Sequence, residues 1–121
     1  MTKRILVVED HEDNRQILRD LLASVGYEML EAEDGERGVA AASAERPDLI
    51  LMDIQLPILD GYEATRRIKA DPALRSIPII VVTSYALSGD EDKARAAGCD
   101  AYVAKPYSPR QLLARIHEFL S

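Results

Sequence analysis

The chain of 121 residues carries a net charge of −6, with 21 acidic side chains against 15 basic ones. This length fits one ordinary domain, and the acidic balance argues against binding to nucleic acid or to anionic membranes. The apolar runs are strand-sized, too short to cross a bilayer, and the N-terminus does not resemble a secretion signal. Cys99 is the only cysteine, so it predicts a small packed side chain in a reducing compartment. We therefore expect a cytoplasmic protein of one domain.

Five apolar segments alternate with helical patterns, which predicts an α/β domain with a parallel sheet. The predicted strands are Ile5 to Val8, Glu28 to Ala32, Leu49 to Met52, Pro78 to Val82 and Ala101 to Ala104. The first, third and fourth are apolar throughout, which is typical of central strands that are covered on both faces. The second contains glutamates and the fifth is short, so both are placed at the sheet edges. With right-handed crossovers, this predicts a doubly wound sheet in the order 2-1-3-4-5 with five helices.

Turn and capping residues mark the ends of the predicted helices. Gly26 ends the first helix and Pro47 ends the second. Capping side chains precede a Glu or Gln by three residues at Asp60, Ser88 and Ser108. Pro109 falls at the first position of the last helix, where its missing N–H costs nothing.

The apolar residues at helical spacing predict which helix faces are buried. In the first helix they are Ile17, Leu18, Leu21, Leu22 and Val25. In the helix opened by Ser88 they are only Ala94, Ala96 and Ala97, and in the last helix they are Leu112, Leu113, Ile116 and Leu120. Because the fourth helix offers so little apolar area, we expect it to be less firmly anchored than the others.

Acidic residues follow two neighbouring central strands. Glu9 and Asp10 come after the first strand, and Asp53 comes after the third. The predicted strand order opens a crevice between these carboxyl ends, where three carboxylates would repel one another unless a divalent cation joined them. Oxygen ligands of this density suit Mg²⁺. The alternative is a set of solvated loop acids.

Two further residue types follow the remaining strands at the same edge. Thr83 and Ser84 end the fourth strand, and Lys105 and Pro106 follow the fifth. A cation site, a carboxylate nucleophile, a hydroxyl and an ammonium together meet the needs of phosphoryl transfer onto an aspartate. Taken singly, Thr83 could simply end its strand and Lys105 could lie in water.

The combined motifs resemble the receiver domain of two-component response regulators over essentially the whole chain. They are Glu9-Asp10, Asp53 within LMDIQLP, Asp60-Gly61, Thr83-Ser84 and Lys105-Pro106. The stretches VVEDHEDN and DLILMDIQLPILDGYEATRRIK are most similar to stand-alone receivers of the DivK type. The resemblance implies a flavodoxin-like fold and a bacterial phosphoprotein that signals rather than an enzyme. We expect residues 1–121 to form a single receiver domain without an output domain.

The resemblance also implies a role for each residue at the crevice. Asp53 would accept the phosphoryl group from a phosphohistidine on a histidine kinase or a phosphotransfer protein. Asp10 and Asp53 would ligate Mg²⁺ with the backbone carbonyl of Gln55, while Glu9 would act through water. Lys105 would pair with a phosphoryl oxygen.

The expected response to phosphorylation lies at the ends of the fourth and fifth strands. The resemblance implies that Thr83 moves to a phosphoryl oxygen while Tyr102 turns inward, and that the bond between Lys105 and Pro106 is cis. Packing alone is the alternative role for Tyr102. It also implies that Gln55 and Tyr85 tune the lifetime of the phosphoryl group.

The signal would leave by contact with a downstream protein, and the chain would be a monomer or a weak dimer. The expected contact face comprises helix 4, strand 5 and helix 5. It includes Tyr102 and Tyr107 with the neighbouring Lys93 and Arg95.

Three other functions fit the residues less well. A phosphatase of the haloacid dehalogenase type needs an acid two residues after its nucleophile, where this chain has Gln55. A flavin-binding module needs a phosphate loop after the first strand, where EDHEDN would repel a phosphate. A transcription factor needs a basic reading element, which is missing here. For His11 and His117, solvated side chains are favoured over a phosphohistidine relay.

Overall fold

The computed structural model describes residues 2–83 and 90–120, so the expectations for Ser84, Tyr85 and Ser88 lie outside the described residues. The strands are β1 (Arg4–Val8), β2 (Glu28–Ala32), β3 (Leu49–Asp53), β4 (Ile79–Thr83) and β5 (Ala101–Ala104). The helices are α1 (Glu12–Ser24), α2 (Gly35–Glu45), α3 (Gly61–Ala70), α4 (Asp90–Ala97) and α5 (Pro109–Leu120). Within the described part of the chain, no helix combines the length and apolar character needed to cross a membrane.

The strands form one parallel sheet in the order β2-β1-β3-β4-β5, which confirms the predicted topology. The three central strands are almost entirely buried, whereas the edge strands β2 and β5 are partly exposed. This difference follows from the sequence, because only strands that are covered on both faces bury every side chain.

Successive side chains of the central strands point to opposite faces of the sheet and build two apolar clusters. On one face, β-strand residues such as Leu6 and Ile50 pack with residues of α2, α3 and α4. On the other face, residues such as Ile5 and Leu51 pack with α1 and α5. Helices therefore cover both faces of the sheet, and its carboxyl edge is left for the site.

Most helix ends are where the sequence predicts them. The Asp60 side chain accepts a hydrogen bond from the Glu63 amide at 2.9 Å, and Ser108 Oγ accepts one from the Gln111 amide at 3.4 Å. Gly26 has a φ of 85°, which glycine tolerates and which suits the turn after α1. The sequence pattern missed the N-cap of α2, where Asp34 accepts from the Arg37 amide at 2.7 Å.

The buried helix faces are narrower than predicted. Ile17 is 59% exposed and Val25 is 49% exposed, because the buried stripe of α1 follows Leu18 and Leu22. Ala96 is also exposed, which corrects the predicted face of α4. In α5, Leu112 and Ile116 are fully buried, whereas Leu113 and Leu120 are only partly so. Residues at the margin of an amphipathic stripe are the ones that periodicity places least well.

The Lys69 side chain forms hydrogen bonds with several segments at the amino-terminal edge of the sheet. Its Nζ donates to the backbone carbonyls of Arg75 and Ile77 at 3.0 and 2.9 Å and to Asp100 Oδ2 at 2.8 Å. The same Asp100 oxygen accepts from the Ile79 amide at 2.8 Å. One side chain of α3 therefore holds the loop before β4 and the start of β5.

We expect Lys69→Met to lower the free energy of unfolding by about 1–3 kcal/mol, because the charged donor of three hydrogen bonds, one of them partly buried, is removed while the apolar stem is kept. Urea denaturation followed by circular dichroism measures this change. Lys93→Met, at an exposed position of α4, is the matched control and should change stability by less than about 0.5 kcal/mol. An equal loss in both variants would contradict the structural role of Lys69.

Candidate functional site

The carboxyl ends of β1, β3, β4 and β5 bring the predicted site residues to one edge of the sheet. Val8 pairs with Met52, Asp53 with Val82, and Thr83 with Ala104, so these strands end level with one another. Lys105 follows β5 immediately, and its amide donates to the Thr83 carbonyl at 2.6 Å. The parallel register therefore gathers groups that are far apart in the sequence.

Lys105 lies between the two most buried carboxylates of the edge. Its Nζ is 3.1 Å from Glu9 Oε1 and 4.0 Å from Asp53 Oδ2. The lysine side chain is 22% exposed, whereas that of Glu9 is 3% exposed and that of Asp53 is 11% exposed. The ammonium therefore offsets part of the repulsion between two acids that solvent screens poorly.

Glu9 accepts hydrogen bonds from three neighbouring groups, including the Lys105 ammonium. Burial opposes its ionisation, but the His11 amide and the Lys105 ammonium outweigh burial and lower the pKa of Glu9 from 4.5 to about 2. Oε2 accepts from the His11 amide at 3.1 Å, and Oε1 accepts from Asn14 Nδ2 at 3.0 Å. Glu9 is thus a fixed negative charge at neutral pH.

The pKa of Asp53 is shifted in the opposite direction to that of Glu9. Burial and the negative charge of Glu9 raise the pKa of Asp53 from 3.8 to about 6, against the attraction of Lys105. With a pKa of about 6, the Asp53 carboxylate is ionised at neutral pH, but the positive charge nearby does not fully offset its burial and the repulsion from Glu9. The site therefore favours the binding of a further cation next to Asp53.

Asp10 offers the clearest fit to a metal ion. Its Oδ1 is buried and, among the described residues, accepts no hydrogen bond. Buried polar atoms are nearly always satisfied, and a divalent cation would satisfy this oxygen. The donors are carboxylate oxygens, which suit Mg²⁺. Gln55 is exposed in the loop after β3, two residues beyond Asp53.

The remaining predicted residues lie at the ends of β4 and β5. Thr83 is completely buried at the end of β4. Tyr102 is half-buried and packs against the apolar cluster beneath α2, α3 and α4. The peptide bond between Lys105 and Pro106 is cis, as the resemblance implied.

Arg15 supports the acidic cluster, a role that the sequence analysis did not predict. It is 6% exposed, and its Nη1 donates to the Glu9 carbonyl at 2.7 Å. Its guanidinium also pairs with Glu12 at 2.6 Å and with Glu31 at 3.1 Å. Arg15 therefore holds the turn that presents Glu9 and Asp10. A signal was available, because Arg15 occupies the same helical stripe as the buried Leu18 and Leu22.

Gly61 allows the start of α3 to approach the end of β3. A Cβ atom at this position would lie 2.0 Å from the Asp53 carbonyl oxygen, which is far too close. The Gly61 amide donates to the Ile54 carbonyl at 2.9 Å. Only glycine permits this approach, so Gly61 helps to position Asp53.

The loop between β3 and α3 contains a strained residue. Ile58 has a φ of 70°, although it is β-branched, and its side chain is 76% exposed. The Leu59 amide donates to the Pro57 carbonyl at 2.7 Å across this turn. Strain of this kind is concentrated at functional sites, and here it lies in the loop that leaves Asp53.

The parallel α/β sheet carries acids, a threonine and a lysine at four neighbouring strand ends, which is the arrangement that the sequence predicts for a receiver domain. The family model for the response regulator receiver domain matches residues 5–117. The chain belongs to this family, and the membership favours the receiver interpretation over the phosphatase and flavin-binding alternatives.

The relatives agree in length as well as in sequence. The polar-differentiation response regulator DivK of Brucella ovis is 44% identical over 120 residues, which cover 99% of this chain and 98% of the relative. The DivK protein of Brucella suis biovar 1 shows the same identity and coverage. The predicted similarity to receivers of the DivK type is confirmed.

Solved structures of receiver domains superpose closely on this chain. The receiver domain of the sensor histidine kinase PA1611 from Pseudomonas aeruginosa superposes with a TM-score of 0.92 and 39% sequence identity. The match covers 99% of this chain and 98% of the PA1611 receiver chain. That structure holds a magnesium ion in its active site cleft. The chemotaxis response regulator CheY4 of Vibrio cholerae has a TM-score of 0.91 and 26% identity, with 98% and 99% coverage.

We expect Mg²⁺ to raise the melting temperature of the protein, because it binds the folded acidic cluster and not the unfolded chain. At ten times its dissociation constant it adds about 1.4 kcal/mol, or roughly 4 °C for a domain of this size. Differential scanning calorimetry with and without Mg²⁺ measures the shift. Asp10→Asn should lose the shift, and the exposed control Asp92→Asn should keep it. Equal shifts in both variants would place the cation elsewhere.

Proposed function

We propose that the protein is a response regulator in which Asp53 accepts a phosphoryl group from a phosphohistidine in a Mg²⁺-dependent reaction. The observation that carries this proposal is the position of the Lys105 ammonium between buried Glu9 and Asp53. An Asp53 oxygen attacks phosphorus, the P–N bond breaks, and the electron pair returns to the donor imidazole. Little other chemistry is needed, since positioning and charge stabilisation supply most of the rate in phosphoryl transfer.

The cation site is proposed to comprise the carboxylates of Asp10 and Asp53 with the backbone carbonyl of Gln55, while Glu9 acts through water. Mg²⁺ bound there would neutralise charge on the transferred group. Glu9 keeps Lys105 at the edge of the site, and Lys105 pairs with a phosphoryl oxygen. The Thr83 hydroxyl is proposed to move to another phosphoryl oxygen.

Output is proposed to follow from this movement of Thr83. Tyr102 lies on the neighbouring strand β5 and turns inward as Thr83 shifts, which alters the α4-β5-α5 face. A groove of about 410 Å³ at this face is lined by residues of β5 and α5, including Tyr102, and by Tyr107 from the segment between them. A downstream protein would bind this face, and added negative charge at the site would bias it between two arrangements.

Phosphotransfer tests the proposal directly. The protein is incubated with Mg²⁺ and a radiolabelled histidine kinase or phosphotransfer protein, or with acetyl phosphate. We expect one phosphoryl group per chain, stable to acid but released by base and by hydroxylamine, as an aspartyl phosphate should be. Chelation of Mg²⁺ should prevent the labelling. Absence of a label from every donor, or labelling that persists without Mg²⁺, would contradict the function.

The surface next to Lys105 is suited to the phosphodonor protein. A groove of about 480 Å³ lies between α1 and the loop after β5, and its lining is mainly apolar. It includes Ile17, which is 59% exposed, together with Pro106 and Tyr107. An exposed apolar patch beside a reactive site is typical of a protein-binding surface. A donor bound here would bring its phosphohistidine close to Asp53.

We expect Ile17→Gln to slow phosphotransfer from the protein donor by roughly 10-fold, because a central apolar contact is lost. Labelling by acetyl phosphate should stay within about twofold of the wild type, since this small donor needs no docking surface. Val25→Gln, which changes another exposed apolar residue beyond the end of α1, is the matched control. If both donors slow equally, Ile17 acts on the site itself and the docking role is wrong.

A further inference from the structure

His11 lies directly against the acidic cluster. Its Nδ1 is 3.1 Å from Asp10 Oδ1 and 3.4 Å from Glu9 Oε2. Among the described residues, these three form a group whose possible ligand atoms all lie within 4.8 Å of one another. The imidazole is 71% exposed, so it adjoins the site without being part of the core.

The contact between His11 and Asp10 is not a hydrogen bond. Asp10 Oδ1 accepts no hydrogen bond from the described residues although Nδ1 is only 3.1 Å away. Two neighbouring ligands at about 2.1 Å from one metal ion and at right angles are about 3.0 Å apart. The observed separation of 3.1 Å matches that of two ligands of one cation, and Asp10 Oδ1 has no hydrogen-bond donor among the described residues.

The backbone of His11 is held next to the acidic cluster, which keeps the imidazole near Asp10 and Glu9. The His11 amide donates to Glu9 Oε2 at 3.1 Å, and Glu9 is itself held by Asn14 and Lys105. Arg15 fixes the Glu9 carbonyl at 2.7 Å. His11 thus starts from a backbone that is already bound to the cluster, so little further ordering is needed for its ring to ligate.

An imidazole changes which cations the cluster prefers. Carboxylates and carbonyls suit Mg²⁺, whereas an added imidazole nitrogen favours first-row transition metals such as Ni²⁺, Cu²⁺ and Zn²⁺. We propose that His11 is an additional ligand of the cation site and that it makes this receiver bind first-row transition metals tightly through Asp10 and His11. The inference rests on the proposed function, because it uses the same acidic cluster.

The experiment measures metal binding rather than phosphorylation. The tag-free wild type, His11→Gln and the control His117→Gln are titrated with Ni²⁺ and separately with Mg²⁺ by isothermal titration calorimetry. His117 lies exposed on α5, so it removes the other histidine without touching the cluster. We expect His11→Gln to weaken Ni²⁺ binding roughly 10- to 100-fold and to change Mg²⁺ binding by less than about twofold, while His117→Gln changes neither.

A spectroscopic measurement identifies the ligand. Electron paramagnetic resonance of the Cu²⁺-loaded wild type should show nitrogen hyperfine structure that disappears in His11→Gln and remains in His117→Gln. Because His11 is exposed, both variants should keep the thermal unfolding profile of the metal-free wild type.

Two outcomes would overturn the inference. If His11→Gln binds Ni²⁺ as tightly as the wild type while Asp10→Asn does not, the cluster binds metal without His11, and the proposed Mg²⁺-dependent function is untouched. If His117→Gln causes the loss, the transition metal binds outside the cluster. Failure of the proposed function is a different result, in which Mg²⁺ binds neither the wild type nor any variant.

Discussion

Asp53→Asn should abolish phosphorylation and, in the absence of Mg²⁺, make the protein more stable. In the proposed reaction phosphorylation is lost because the neutral amide oxygen is a much weaker nucleophile than the carboxylate. Stability rises because the ionised carboxylate is buried next to Glu9, which raises its pKa from 3.8 to about 6. This rise corresponds to about 2–3 kcal/mol at pH 7.5.

The stability gain should depend on pH in a defined direction. The pKa of Asp53 is higher in the folded state than in the unfolded state, so its destabilising effect is fully present above pH 6 and fades as the pH falls towards 3.8. Glu9 behaves in the opposite way. Its folded-state pKa of about 2 is below 4.5, so its stabilising effect is fully present above pH 4.5 and is lost as the pH falls towards 2.

Urea denaturation of the wild type and Asp53→Asn at pH 7.5 and pH 5, with Mg²⁺ chelated, isolates the contribution of Asp53. The difference in unfolding free energy should fall by about half between these pH values. Asp92→Asn, at an exposed acid of α4, controls for the change in net charge. A gain in unfolding free energy that is independent of pH would mean that burial and Glu9 do not raise the pKa of Asp53.

Lys105→Ala should slow phosphotransfer about 100-fold or more, since in the proposed reaction it removes a preorganised charge that would face the transferred oxygens. The structure adds a cost in stability. Glu9 is 3% exposed, and without the ammonium 3.1 Å away its charge is buried with one fewer partner. Because Lys105 itself is partly exposed, we expect a loss of about 1–3 kcal/mol.

A double variant separates the two roles of Lys105. Adding Glu9→Gln to Lys105→Ala removes the unpaired buried charge, so most of the lost unfolding free energy should return while phosphotransfer stays slow. Denaturation and the rate of labelling by acetyl phosphate measure the two quantities. If labelling recovers together with stability, Lys105 is a structural residue and not part of the reaction.

Local sequence patterns determined the fold of this protein. The positions of the strands, to within one residue at each end, the parallel sheet order and the caps of α3 and α5 follow from apolar runs, punctuation residues and right-handed crossovers. These are short-range or statistical properties of a chain, so they can be read without coordinates. The positions of the crevice residues Glu9, Asp10, Asp53, Thr83 and Lys105 could also be predicted, because each ends a strand or lies within two residues of its end.

Tertiary packing decided what the pattern of residue types left open. The exposure of Ile17 and Ala96 depends on where the neighbouring strands end, because marginal residues of a helical stripe are covered only if something lies opposite them. The strained backbone at Ile58 likewise depends on how α3 is attached to β3.

The chemistry within the site was also decided in three dimensions. The sequence places five functional groups at one edge, but it does not say that Lys105 pairs more closely with Glu9 than with Asp53, or that Arg15 reaches back to the Glu9 carbonyl. Burial and the charge of Glu9 raise the pKa of Asp53, whereas the His11 amide and Lys105 lower that of Glu9, and both burial and Coulomb interactions depend on distances that only the folded chain fixes. The sequence therefore determined which groups meet, and the tertiary structure decided how strongly each carboxylate holds its charge.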